Sequence, residues 1–483
     1  MNSEQTLPYQ WTIKPLTDLG KWTGGGTPSK SNDAYWTSGS IPWVSPKDMK
    51  RLRIDYTIDY ITDAALEESS AKLIQRSSVL MVTRSGILSH TFPVAINSVP
   101  VALNQDMKAL TPSEGVEASY LAYYLISRGQ DILRTCSKDG TTVSSIDSHR
   151  LGQYPVTLAP TEVQPLVTSK IEELFSCIDE GERALTSVEK LIESYRQAVL
   201  KAAVTGELTR DWRSRNVEHG ESGEELIQRL LDARRNKWEH AELEKMSASG
   251  KTPRGDGWKA KYKEPAAPDT SELEGLPQGW VWASLAQLGD FGRGKSKHRP
   301  RNDPKLFGGP YPFLQTGTVR ASKGRISHAD SSYSELGLAQ SKLWPAGTVC
   351  ITIAANIAAS GILQLDACFP DSVVGLVPAD GVRADYVEFF IRTARDELDR
   401  YAPATAQKNI NLQILEQVAV PLPPTTEQDE IFSRAQALLS NADNVEATLH
   451  HALNQSAGLK QSVLRSAFKG ELIQPSNQIA ADV

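Results

Sequence analysis

Apolar residues recur at steps of three and four along two long stretches of this chain. The first stretch places Val167, Ile171, Leu174, Ile178, Leu185, Val188, Ile192, Tyr195 and Val199 in register, with one slot taken by Gly181. The second places Ile431, Ala435, Leu438, Ala442, Val445, Leu449, Ala452, Ser456, Leu459 and Val463 in the same way. This period predicts two amphipathic helices with a heptad seam. Each could extend for about 40 residues, or about 60 Å at 1.5 Å per residue. Both open on a proline followed by threonine, with glutamine three residues on: Pro160, Thr161 and Gln164, then Pro424, Thr425 and Gln428. That pattern predicts a capping box at each start. Each stripe could face only its own domain's core. Two matching stripes of this length instead predict that the helices pair with each other, large residues of the first against smaller ones of the second.

The two stretches are copies. Leu158–Leu208 aligns without a gap on Leu422–Leu472, at an offset of 264 residues, with 17 identities in 51 positions. The preceding segments echo one another at drifting offsets. Trp11–Gly20 matches Trp280–Gly289 at 269, Ile41 onward matches Tyr311 onward at 270, and Ser119 onward matches Asp385 onward at 266. Drifting offsets mean loops of different length on one shared scaffold. Short apolar runs at Ser78–Thr83 and Thr348–Ile353 predict buried strands, and Glu117–Ile126 and Ala384–Arg395 predict short helices. The expected fold is therefore α+β, with two similar α/β domains alternating with two long helices that pair antiparallel, and an internal pseudo-twofold repeat. The expected boundaries are 1–157, 158–277, 278–421 and 422–483. The second segment adds a further helix, Ser222–Met246, and then a Gly-, Pro-, Lys- and Ser-rich linker or arm ending near Leu276.

Composition narrows the class. The chain has 483 residues, 40% hydrophobic and 23% charged, with four cysteines at wide spacing and a net charge of −6. The polar start and the lack of any long apolar run predict neither a signal peptide nor a membrane span, and the cysteine usage suits a reducing cytoplasm. Charge is uneven. Phe291–Arg325 holds nine basic residues against one acid, Asp303, a local +8. Such a segment suits displacement of counterions from phosphates. No metal-ligand spacing, phosphate-binding loop or nucleophile motif appears, so no covalent chemistry is expected of this chain.

The paired helix starts, the paired helix ends AVLKAAVTGELT and SVLRSAFKGELI, the opening GGGTPS…IPWVSPKDM and the second opening LPQGWVWASLAQLG resemble the specificity subunits of type I restriction-modification enzymes. The resemblance covers nearly the whole chain. It implies two target recognition domains, each reading one half of a split DNA site, joined by helices that hold them apart and dock partners. The implied partners are double-stranded DNA, two modification (methyltransferase) subunits and restriction subunits, with no membrane. No cofactor is expected on this chain; S-adenosylmethionine, ATP and magnesium belong to the partners. The partner methyltransferases would flip and methylate adenine at N6.

Residue type, loop position and charge then select candidate DNA contacts. In the first domain they are Thr27, Lys30, Lys47, Asp48, Lys50, Arg84, Ser85, Gln105 and Lys138. In the second they are Arg293, Lys295, Lys297, Arg299, Gln315, Arg320, Lys323, Gln407 and Lys408. Val167, Ile171, Leu174, Ile178, Leu185, Val188, Ile192, Ile431, Leu438, Val445, Leu449, Leu459 and Val463 are the candidates for helix pairing or partner docking. A stand-alone bipartite DNA-binding protein and a coiled-coil scaffold without DNA are the competing readings.

Overall fold

The structure is a computed structural model that describes residues 10–138, 143–216, 220–250, 252–253, 255–354, 358–400 and 412–473. Contacts divide the chain into two compact units, residues 1–187 with 449–483 and residues 188–448. The two long helices, Gln164–Val204 of 41 residues and Thr425–Ala467 of 43, each contribute to both units.

The first unit is built on a five-stranded sheet. Its order is Gly20–Gly24, Met107–Pro112, Val79–Val82, Val94–Asn97, Arg53–Ile54. A four-stranded sheet (Asp59–Ile61, Ile41–Val44, Val101–Leu103, Leu73–Ile74) and a two-stranded ribbon (Thr12–Pro15 with Pro155–Leu158) complete it. Val79–Val82 is buried at every position, as its unbroken apolar run demands. The second unit repeats this plan strand for strand. Its five-stranded sheet runs Gly289–Arg293, Val373–Pro378, Val349–Thr352, Ser360–Leu363, Gly324–Ile326, and its ribbon pairs Val281–Ser284 with Ala419–Leu422. The repeat seen in the sequence is thus a repeat of topology.

Each domain core is closed by the start of one long helix and the end of the other. In the first unit Val167 and Ile171 are buried with Leu464, Ala467 and Phe468, whose ring meets Tyr120 and Tyr124 edge-on at 5.2 and 5.1 Å. In the second, Val199, Leu200, Ala203 and Val204 are buried with Ile431 and Ala435. The helices run antiparallel within each unit. Lys460 reaches Asp179 and Glu182 in the first, and Arg196 reaches Asp443 and Glu446 in the second.

The glutamines expected in capping boxes do something else. Gln164 is fully buried, accepts from the Glu117 amide at 2.8 Å, and donates to the carbonyls of Gly115 and Ala159. Gln428 accepts from the Arg383 amide at 2.8 Å and donates to Gly381 and Pro423. Each amide therefore satisfies backbone groups of a turn some 45 residues earlier, which a local cap would have left unpaired. The motif clasps each domain to its helix.

The pairing seam is buried in part. Ile192 and Leu449 are buried, and Leu174, Ile178, Leu185, Leu438 and Val463 are half-buried. Val188, Val445 and Leu459 point to solvent, at 36%, 49% and 55% exposure. Periodicity placed these residues on one face, but the partner helix does not cover that face along its full length.

Candidate nucleic-acid interface

Strand direction brings most of the candidate contacts to one rim of each domain. In the first unit Ile41–Val44 and Val101–Leu103 are parallel and end together, Val44 beside Leu103. Val79–Val82 ends opposite Met107, and Gly20–Gly24 ends opposite Lys108. The connections leaving these strands are stitched to the short link 104–106. Gly26 N donates to Leu103 O, Asn104 N to Val44 O, and Thr83 N and Arg84 N to Asp106 O. Ser85 N donates to Ser144 O and Lys138 N to Ser145 O, which adds the last loop to the same rim.

Lys30, Lys47, Lys50, Arg84, Gln105 and Lys138 are all exposed there. Thr27 lies on the same loop with its Oγ1 buried and without a partner. Ser85 caps the turn Gly86–Ser89 rather than standing free. Asp48 departs from expectation. It is buried, and its carboxylate accepts from Ser45 N, Ser45 Oγ and Ile58 N, so it braces the loop that displays Lys47 and Lys50.

Two rim residues escaped the sequence reading. Gln130 and Arg134 line an open depression of about 450 Å³ together with Ser89, Lys138, Ser144 and Ser145. They sit on a helix, Gly129–Cys136, and not on the loops that carry the sequence candidates. The sequence signal available was residue type alone, an amide and a cation close before Lys138; Arg134 also pairs with Asp131 at 2.6 Å on its own helix.

The second unit builds the same rim around residues 369–372. Gly294 N donates to Val373 O, Lys295 N to Phe369 O, Leu314 N to Cys368 O and Ile353 N to Ser372 O. Glycine is required where the loop crosses this link. A Cβ on Gly294 would lie 2.2 Å from the Phe369 carbonyl oxygen, and one on its counterpart Gly25 would lie 1.9 Å from that of Asn104. Arg293, Lys295, Lys297, Arg299 and Gln315 stand exposed on this rim. Arg299 also donates to the carbonyls of Ser296 and His298 at 2.7 and 2.8 Å, which fixes its course. Gln407 and Lys408 lie outside the described residues.

The local +8 is not all available to a ligand. Arg301 pairs with Asp371 at 3.1 Å and Arg325 with Asp385. The latter repeats in the first domain, where Arg53 reaches Glu172 at 2.9 Å and Ser119. Both arginines staple a short strand to the helices behind it. Arg320 and Lys323 likewise turn to that side. They line a cavity of about 620 Å³ with Arg196, Glu388, Asp443 and Glu446, and Lys323 comes within 3.9 Å of Glu446. The rim candidates in this segment therefore reduce to Arg293, Lys295, Lys297, Arg299 and Gln315.

Glu388 in that cavity wall is 2% exposed and accepts from Ser360 Oγ at 3.2 Å, with Arg392 3.8 Å away. Burial pushes its carboxyl up to about 7, only partly offset by Arg392 and Ser360. The folded protein thus holds a proton that the unfolded chain, at the ordinary 4.5, releases. The stability this group contributes is complete below pH 4.5 and is lost as pH rises through 7, by about 3 kcal/mol. Glu388→Gln is expected to match the parent's thermal midpoint at pH 5 and to exceed it at pH 8. Equal midpoints at pH 8 would show that the carboxylate is tolerated there. Its counterpart in the first domain is Ala122, so the fold itself does not need the acid.

Among the described residues no group of three or more His, Cys, Asp or Glu could hold a metal ion. No described helix is long and apolar enough to cross a membrane.

Known proteins share the duplicated architecture. The profile of the family described as "Type I restriction modification DNA specificity domain" matches residues 8–190 and again 277–455, once for each domain. The chain is 43% identical over 187 residues to the Type I restriction enzyme EcoR124I/EcoR124II specificity subunit of Escherichia coli, a match covering 38% of this chain and 46% of that one. It is 21% identical over 482 residues to the EcoKI specificity subunit of Escherichia coli K12, covering 96% of this chain and 90% of the relative. In fold, it matches a chain from a structure of complex assembly and conformational transition of the type I R-M system. The TM-score is 0.65 at 16% identity, over 96% of this chain and 99% of that one.

Proposed function

Because the chain belongs to the type I restriction modification DNA specificity family, we propose that it is the non-catalytic subunit that reads a bipartite, asymmetric DNA target for a type I restriction-modification enzyme. The observation that carries this reading is the duplicated rim: the same strand ends, stitched by the same pattern of backbone hydrogen bonds, present different polar and basic side chains in the two domains. One scaffold with two sets of side chains is what two unlike half-sites call for. Phosphate contacts from lysine and arginine would fix register, while Arg84, Gln105, Arg293 and Gln315, exposed and of the residue types that pair with guanine or adenine, would read base edges. The helices shared by both units would set the spacing between half-sites.

Methyl transfer and cleavage fall to partner subunits, which would carry S-adenosylmethionine, ATP and magnesium. A surface for them is available on the long helices. Val188, Leu191 and Tyr195 are 36%, 66% and 43% exposed and share one helical face, and Val445 is 49% exposed on the other helix. Leu191→Asp removes an exposed apolar group, so it is expected to leave the thermal midpoint unchanged while the methyltransferase subunits cease to co-purify. Retention of both subunits would move the docking site elsewhere.

The functional test is base-resolved mapping of methylated adenine in cells carrying this chain with its methyltransferase, against cells lacking only this chain. A split motif that appears with the chain is the expected result. An unchanged pattern, with the methyltransferase present and folded, would reject the reading.

A further inference from the structure

The connector between the first long helix and the second domain has no counterpart among the described residues, and the reading rim does not use it. Its helix, Gly223–Ala248, starts with a complete capping box, Ser222 with Glu225, and is anchored in the core of the second unit by Leu226 and Leu230. It then climbs beside the edge strand Gly289–Arg293. Arg234 donates to the carbonyls of Ala286 and Gly289, and Lys237 pairs with Asp290 at 2.9 Å. Contacts rise together on helix and strand, so the helix advances toward the strand's Arg293 end, where the rim begins. From Lys237 it continues for 11 residues, about 16 Å. The strand needs only about 10 Å to reach Arg293.

The chain after the helix does not trail away as a linker. Trp258 stacks on Trp238 with centroids 5.9 Å apart, Tyr262 packs on the same indole at 5.4 Å, and Lys259 pairs with Glu239 at 3.4 Å. Lys261 and Lys263 remain exposed. Charge is sorted along this arm. Residues 245–263 contain six basic residues and one acid, whereas 264–275 contain four acids and no base. Ser284 Oγ donates to Ala266 O, which holds the start of the acidic half beside the ribbon, away from the rim. The basic half runs back along helix residues 239 to 235, from Lys259 beside Glu239 to Tyr262 beside Arg235, level with the Gly289–Asp290 start of the edge strand and about 10 Å along it from the rim at Arg293.

We propose that the arm Trp258–Lys263, held on this helix, grips the phosphate backbone of duplex DNA flanking the half-site read by the second domain. This rests on the DNA-reading function proposed above. The contact would be electrostatic and sequence-independent, because flexible ammonium groups on a surface arm match phosphates as point charges and not base edges.

The test uses the assembled methyltransferase complex and two duplexes. One ends at the outer edge of the second half-site and the other continues by about one helical turn. On the longer duplex, Lys261→Gln with Lys263→Gln is expected to weaken binding about tenfold at low salt and to make log K against log salt shallower by about 2. On the shorter duplex the variant should equal the parent, and the methylated motif should not change. Trp238→Ala, which frees the arm, should reproduce the effect, and Lys261→Arg with Lys263→Arg should restore it. Parent-like binding to the longer duplex at every salt concentration overturns the proposal. So does equal weakening on both lengths, or loss of partner subunits from the double variant, which would make the arm a protein contact. Failure of the underlying reading would look different: the parent itself would show no sequence preference on either duplex.

Discussion

Replacing Arg293, Lys295 and Lys297 together by alanine is expected to lower DNA affinity of the assembled enzyme about 100-fold at 0.1 M salt and to flatten its salt dependence by nearly 3. The three side chains stand exposed at the end of the strand Gly289–Arg293 and on the loop that follows it, with no ion pair to an acid among the described residues. Their neighbours Arg301 and Arg325 are already paired with Asp371 and Asp385, so the same substitution there would remove less charge from the ligand's view and more from the fold. Stability should be spared, since the loop is held by backbone bonds from Gly294 and Lys295 and by Ser341 Oγ donating to the Lys295 carbonyl. Titrations at several salt concentrations separate two roles. Uniform weakening on every sequence marks phosphate contacts, whereas loss confined to the second half-site, with relaxed methylation at one base pair, marks a base reader. Binding equal to the parent at all salt concentrations would move the interface off this rim.

How much of this was legible in the residues follows from the range of each interaction. The long helices and the duplication were legible because their signals are local and repeated: apolar steps of three and four, and 17 identities at one offset. The buried strands around Val79–Val82 and Val349–Thr352 were legible as apolar runs. What could not be read was where a side chain is spent. Gln164 looks like a helix cap, yet it serves a turn at Gly115–Glu117. Arg53 follows Lys50 and Arg51 in the sequence and would count with them as a surface cation, but it joins Glu172, 119 residues away. Arg320 and Lys323 count toward a basic segment whose far end turns to the helices. Val188, Val445 and Leu459 share a stripe with buried residues, and periodicity says which residues share a face, not what covers it. The connector reads equally as a linker or an extended arm by its glycines, prolines and lysines. Trp258 and Tyr262 were the signal against the linker, since aromatic residues in a free linker have nothing to pack on.

Glu427→Ala is expected to destabilise the second unit by about 3–5 kcal/mol, the range for removing one partner of a buried ion pair. Glu427 is 1% exposed and fully satisfied. Its Oε1 accepts from Arg213 Nε and Nη2 at 2.9 and 2.8 Å and from Thr209 Oγ1 at 2.7 Å, and its Oε2 accepts from Trp280 Nε1 at 2.8 Å. The carboxylate thus ties together three segments: the turn after the first long helix, the opening of the second domain and the first turn of the second long helix. Without it, Arg213 keeps its charge at 12% side-chain exposure and the buried Trp280 N–H loses its acceptor. The internal repeat supplies a control. The position equivalent to Glu427 is Val163, so the first domain joins its long helix with no acid at this place. Glu427→Leu with Arg213→Met should therefore recover much of the stability lost by Glu427→Ala, although Trp280 and Thr209 still lack their acceptor. At about 2–4 °C per kcal/mol for a unit of this size, the single variant should lower the thermal midpoint by roughly 6–20 °C. A midpoint within a degree of the parent would mean that water replaces the carboxylate and that the clasp holds nothing the rest of the unit does not.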